Sequence, residues 1–310
     1  MERLLFTKDL VAQGYSGTEI ETMVRAGELD RLRRGAYLKG RGSDESASAR
    51  EQHRRLVRAT VGQSRDGAIV SHMSAAVLHG LPLWHDQLDR VQLIRDRQGG
   101  GRSRRHVVIR GMPLDSSDVV EVDGIAVTSL ARTVVDLACQ LPMQRSVAVG
   151  DAALRVLAGR DPGGDGTAEL DAALDRAGRR PGVPTARRAI AFLDARAETA
   201  GESVSRVVLH ELGLPAPELQ YEIFDEDGIL VARTDFVWED RRTVGEFDGQ
   251  VKYSGAFGKS AEKVVLEEKR RENAIRRYGF QVARWTWPDL SRPDQLAALL
   301  RGCFNRALAA

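Results

Sequence analysis

Along residues 4–40 the apolar positions change period twice. Thr7 can cap a short helix over 8–13 that ends at Gly14. Ser16-Gly17-Thr18-Glu19 is a capping-box sequence, in which the serine bonds a first-turn amide and the glutamate reaches back. Ile20, Met23 and Val24 then share one helix face before Gly27 stops it. Leu29, Leu32, Ala36 and Leu38 follow, with Arg31, Arg33 and Arg34 interleaved and Gly35 as a turn. Two short helices and a basic hairpin are the order of a winged helix-turn-helix.

Farther along, residues 44–60 read as a charged linking helix and 66–136 as a mixed α/β region. Residues 71–80 predict a small-residue helix ending at Gly80; 91–94 and 106–110 predict strands. His72 and His79 lie seven apart with no carboxylate or cysteine at ligand spacing, so packing or capping is preferred to metal. Between the strands lies a glycine- and arginine-rich loop carrying Arg102, Arg104 and Arg105. Such a loop can follow a phosphate backbone, although a disordered surface loop is the plainer and preferred reading. Residues 129–213 look largely helical, broken at Pro142, Pro162 and Pro181, and read as scaffold. The last hundred residues read strand, turn, strand, helix, strand. The expected class is α/β. Its expected parts are a winged helix-turn-helix (1–42), an α/β domain (43–140), a helical connector (141–198) and a mixed sheet flanked by helices (199–310).

Composition narrows the classes. The 310 residues are 42% hydrophobic and 29% charged, which is globular. No apolar run approaches the roughly 18 residues of a membrane helix, so no membrane partner is expected. The start reaches Asp9 too soon for a signal peptide, and two cysteines without a C-x-x-C pattern suit a reducing cytoplasm. The net charge of +2 confines any nucleic-acid binding to local patches. Of the basic residues 40 are arginine and 6 lysine, and four of the lysines fall in the stretch from Lys252 to Lys269.

That stretch adjoins the strongest chemical signal. Asp235 lies in one predicted strand and Glu246 and Asp248 in the next, where alternation points the latter two the same way. Three carboxylates on one sheet face repel each other, and Mg²⁺ or Mn²⁺ relieves the repulsion while holding a water for phosphodiester hydrolysis. Lys252, four residues past Asp248, can orient that water, and Glu202 at a helix start can complete the metal shell. Lys269 and Arg270 on the following helix suit a nucleic-acid backbone, as would a solvated helix face. The competing reading is a solvated hairpin edge with harmless acids.

Two resemblances extend these readings. Asp235, the run Glu246-Phe247-Asp248-Gly249, Glu268-Lys269-Arg270-Arg271-Glu272 and the 279–286 strand resemble very-short-patch-repair endonuclease-like domains of the PD-(D/E)XK superfamily over about 200–300. The resemblance implies Mg²⁺-dependent DNA cleavage, with Asp235 and Glu246 as metal ligands and Glu202 as the helix-borne acid. Asp248 departs from it by standing where that superfamily usually has lysine, and Lys252 stands where relatives of this subtype often carry histidine. Residues 1–140, with Arg33-Arg34-Gly35-Ala36-Tyr37, the 71–80 helix and the run from Asp123-Gly124-Ile125 through Ser129-Leu130-Ala131-Arg132-Thr133-Val134-Val135-Asp136, are similar to AbiEi-type antitoxins of type IV toxin–antitoxin systems. That similarity implies DNA binding by the winged helix and autoregulation of an operon. Three functions therefore stand: a DNA-binding Mg²⁺-dependent endonuclease, an antitoxin-like repressor with a catalytically inactive nuclease fold, or an antitoxin that binds and blocks a toxin partner.

Overall fold

Ser16 accepts the backbone N–H of Glu19 at 3.3 Å, and the Glu19 carboxylate accepts that of Ser16 at 2.7 Å, in a computed structural model of the chain. The residues described are 4–40, 47–64, 67–84, 88–97, 100–160, 164–249 and 261–308. They form an α/β fold in two units, Met1–Leu137 with Leu170–Arg179, and Ala138–Glu169 with Arg180–Ala310.

The first unit opens with β1 (Leu4–Phe6), α1 (Thr7–Ala12), α2 (Gly17–Arg25), β2 (Leu29–Arg33) and β3 (Ala36–Lys39). The strands pair antiparallel in the order β1-β3-β2, and Leu10, Ile20, Leu29 and Tyr37 form the core beneath the helices. Thr7 is not the cap of α1; Phe6 holds that position and Thr7 is the first helical residue. The cause is β1, which pairs with β3 as far as Phe6↔Ala36, so the chain passes from sheet straight into helix.

The supposed linking helix is α3 (Ala49–Val61), and it belongs to the core. His53, Val57 and Thr60 recur at i, i+4 and i+7 and are buried. Val57 packs with residues of β4 (Ala68–Val70), α4 (His72–Leu78), β5 (Val91–Asp96) and strands beyond. The dense charges on its other faces hide this stripe in the sequence. After β5 come β6 (Gly101–Arg104), β7 (Val107–Met112), β8 (Val119–Val122), β9 (Ile125–Thr128) and α5 (Leu130–Ala138). The mixed sheet runs β6-β7-β5-β4-β9-β8.

β6 corrects the loop reading: Gly101 to Arg104 pair antiparallel with β7 as an exposed edge strand. Gly101 makes the approach feasible, because a Cβ there would stand 2.9 Å from the Ile109 carbonyl oxygen. The histidines pack rather than gather. His79 bonds the Thr128 carbonyl at 2.7 Å beyond one end of α4, and His72 contacts Ser71 Oγ at 2.9 Å at the other.

The second unit contains α6 (Met143–Ala158), the first residues of α7 (Thr167–Ala177), α8 (Val183–Ile190) and α9 (Ala200–Glu211). Its sheet is built from β10 (Glu218–Phe224), β11 (Leu230–Trp238) and β12 (Thr243–Phe247), then, after α10 (Ala261–Arg277), from β13 (Gln281–Trp285). The order is β10-β11-β12-β13, parallel only between β12 and β13. α11 (Trp287–Leu290) and α12 (Pro293–Leu308) follow. Val237, Val244 and Ile275 form a core on the α10 face. Phe236 and Trp285 lie on the other face, where the Trp285 indole N–H donates to Ser205 of α9 at 2.8 Å.

A buried charge ties the helical layer together. Asp151 of α6 is fully buried; it accepts from Arg206 at 2.8 Å and from the Asp194 backbone N–H at 2.8 Å. Burial outweighs these partners and pushes its carboxyl up from 3.8 to about 6. The folded state therefore favours the protonated acid. Stability of this unit is expected to rise as pH falls through about 6 toward 3.8, by about 3 kcal/mol in all. Asp151→Asn should remove that increment, which urea midpoints of the two proteins between pH 4 and 7 will show.

Candidate functional site

The sheet of the second unit brings Asp235 and Glu246 onto adjacent strands. Backbone pairing of β11 with β12 runs from Trp238↔Thr243 to Phe236↔Gly245, so Asp235 and Glu246 are the next opposed positions. Opposed side chains share a face. Asp235 there accepts the backbone N–H of Phe247 at 2.9 Å. The antiparallel hairpin and the alternation of β12 thus place two of the predicted acids together. The third, Asp248, lies past the end of β12. β12 ends at Phe247, and the Asp248 backbone N–H donates to the Trp285 carbonyl at 2.8 Å, so strand alternation does not set the direction of its side chain. Lys252 lies outside the described residues.

Glu202 is held elsewhere. α9 packs against the Phe247 face of the sheet, since a Cβ on Gly201 would fall 1.9 Å from the Phe247 ring. Glu246 projects to the opposite, α10 face. Glu202 is buried and caps its own helix: Oε1 accepts from the Thr199 hydroxyl at 2.8 Å, and Oε2 from the Glu198 backbone and the Gln220 amide, each at 2.8 Å. Gln220 reaches it from a left-handed backbone position in β10, φ 55°.

The partners of Glu246 were not legible in the sequence. Arg271 of α10 stands 2.8 Å from Oε1 and Arg284 of β13 stands 2.9 Å from Oε2. Glu246 is 7% exposed, so two guanidinium groups neutralise a carboxylate that water scarcely reaches. Among the described residues no three acids, histidines or cysteines are grouped to hold a metal ion. The expected ligand set of Glu202, Asp235 and Glu246 does not fit a divalent cation as placed. Both oxygens of Glu202 are used in a helix cap on the far face, and both of Glu246 face arginine. Lys269 and Arg270 are exposed on α10, adjacent in sequence to Arg271.

The basic residues of the N-terminal hairpin divide into two kinds. Arg33 turns inward and donates to Thr60 of α3 at 2.5 Å; burial lowers its pKa. Arg34 is exposed, while its carbonyl accepts from Gln63 at 3.0 Å and the carbonyl of Gly35 accepts from the Thr7 backbone at 3.1 Å. Gly35 has φ 81° and a Cβ there would meet Gln63 at 2.8 Å, so glycine is required at this turn. Arg31 pairs with Glu21 of α2, which raises its pKa, and lies over the Tyr37 ring at 5.7 Å. Beside the turn is a groove of about 910 Å³ lined by Lys8, Glu21, Arg31, Arg34 and the glycines at 17, 35 and 62, among others. Lys8 carries no sequence signal beyond its charge. Arg102 and Arg104 stand exposed on β6 and Arg105 in the turn after it.

No family model matches the chain. It is similar to two uncharacterized proteins from two strains of Mycobacterium tuberculosis, each 34% identical over 187 residues. Those residues are 60% of this chain, and the match spans 64% of the length of each relative.

Proposed function

We propose that this protein is a cytoplasmic DNA-binding regulator of the antitoxin-like kind, whose C-terminal unit keeps a nuclease-like sheet without cleaving. The observation that carries the reading is the fixed hairpin turn. Three hydrogen bonds, from Thr7, Gln63 and Arg33, hold residues 33–35 against α1 and the end of α3. Held this way, the turn presents Arg34 beside Lys8 and Arg31 over a glycine-lined groove. Phosphate contacts need cations at fixed positions and backbone that lets the nucleic acid close in. The exposed arginines of β6 supply a second basic edge. No helix among the described residues is long and apolar enough to cross a membrane. The resemblance of residues 1–140 extends the proposal to a toxin partner, tested by co-purification.

Binding to promoter-bearing DNA is expected to fall with salt. Lys8→Ala and Arg34→Ala should each flatten the slope of log affinity against log salt by about one unit. Arg33→Ala should leave the slope unchanged and lower the melting temperature, because Arg33 holds the turn rather than the phosphate. Equal slopes in all four proteins would move the DNA surface elsewhere.

The second reading, a Mg²⁺-dependent endonuclease, is favoured by Asp235 and Glu246 facing each other across β11 and β12. Incubating the full chain with plasmid and single-stranded DNA in Mg²⁺ or Mn²⁺, beside Glu246→Ala, separates the two. Cleavage lost in the variant would establish the enzyme; intact DNA with specific binding would support the regulator.

A further inference from the structure

We propose that Arg271 and Arg284 are the resident counter-ions of the Glu246 carboxylate, so that this site balances its charge with guanidinium groups and excludes divalent cations. The inference goes beyond DNA binding and does not depend on it. A carboxylate as buried as Glu246 needs a positive partner, supplied either by an ion from solution or by the chain itself. Here two come from among the described residues, one to each oxygen.

Both arginines are positioned by backbone rather than by chance contact. The parallel register sets Arg284 directly beside Glu246 across β12 and β13. Arg271 comes from α10 and also donates to the Arg233 carbonyl on β11, which anchors it over the gap between strands. The charges continue outward in alternation. Arg284 lies 3.7 Å from Glu272, and Glu272 pairs with Arg276 at 2.8 Å. A cation arriving at Glu246 would meet two like charges about 3 Å from the oxygens it must take. It would also separate both arginines from their oppositely charged partner. Of the other acids in the expected ligand set, Asp235 faces Glu246 with one oxygen already accepting the Phe247 backbone N–H at 2.9 Å, and Glu202 lies on the opposite face with both oxygens bonded. Arg284 is half-buried and Arg271 more open, so Arg271 is the contact a solvent ion would have to break first.

The test uses Mn²⁺ alone, followed by electron paramagnetic resonance of the free ion, on the full chain. Wild type is expected to leave the aqueous Mn²⁺ signal unchanged into the millimolar range. Arg271→Gln with Arg284→Gln should bind Mn²⁺ at least tenfold more tightly than wild type, and adding Glu246→Gln should abolish the gain. If the double variant fails to fold by circular dichroism, Arg271→Gln alone, at the more exposed position, should show a smaller gain of the same kind. Uptake by wild type that Glu246→Gln removes would overturn the proposal. So would folded arginine variants that gain no Mn²⁺ affinity. DNA affinity measured on the same proteins reports on the regulator reading separately, since neither arginine belongs to the N-terminal groove.

Discussion

Arg132→Ala is expected to destabilise the first unit by about 3–5 kcal/mol, among the largest losses any single substitution there should produce. Arg132 is 2% exposed. Its Nε stands 3.0 Å from both oxygens of Asp136, one helical turn on. Its Nη1 donates to Asp118 at 2.6 Å and to the Pro113 carbonyl at 3.3 Å. Burial alone would lower its pKa, but the two aspartates outweigh it and raise the value instead. Asp118 in turn accepts from Arg176 at 3.0 Å. Alanine would strip two buried carboxylates of their shared cation and open a void, so the penalty combines uncompensated charge with lost packing. Urea unfolding, with hydrogen exchange of α5 and β9 amides as the local reporter, measures it. The double variant Arg132→Ala, Asp136→Ala should lose less than the sum of the two single changes. Additive losses would mean the pair is not coupled.

This network shows what kind of information the sequence carries and what it withholds. Arg132 and Asp136 stand out in Ser129–Asp136 through a resemblance, and their spacing is that of helix neighbours. Nothing in the string says that Asp118, before two short strands, completes the set, because that contact depends on β9 returning the chain beside it. The same divide runs through the fold. The capping box at Ser16, the glycine stops and the alternation of β11 and β12 are local, and they are legible. β6 is not: Gly101-Arg102-Ser103-Arg104 has no apolar residue, and it becomes a strand only because β7 offers a backbone edge. α3 reads as a linker because its buried stripe is narrow and its remaining faces are charged.

The candidate site follows that rule. Asp235 and Glu246 fall together because hairpin register is a near-neighbour property. Their charge balance is not local. Arg284 reaches Glu246 through a parallel pairing that requires α10 as a crossover, and Arg271 through the pitch of that helix. A count of basic residues on α10 points outward to a nucleic acid; the geometry turns one of them inward to a carboxylate. Arg33 and Arg34 repeat the lesson at two adjacent positions, one locking the hairpin and the other displayed by it.

In the second unit, Trp285→Ala is expected to cost about 3–5 kcal/mol. Trp285 is fully buried, its ring lies 5.2 Å from that of Phe236, and its N–H is satisfied by Ser205. The indole sits directly over Gly245 of β12. A Cβ at that glycine would stand 2.5 Å from the Trp285 ring and 3.2 Å from the Trp238 ring. Gly245 is therefore the space the indole occupies, one residue before Glu246 and opposite Phe236 in the register. Gly245→Ala in the wild-type background should destabilise by roughly 1–3 kcal/mol, because neither ring can shift within a closed core. In a Trp285→Leu background the added methyl group meets open volume, and the same substitution should be close to neutral. A double-mutant cycle by urea denaturation reads the coupling, expected at about 1–3 kcal/mol. If Gly245→Ala costs as much beside leucine as beside tryptophan, the indole does not set the spacing of this sheet. The carboxylate–arginine site would then owe its geometry to the β12–β13 register and α10 without the indole.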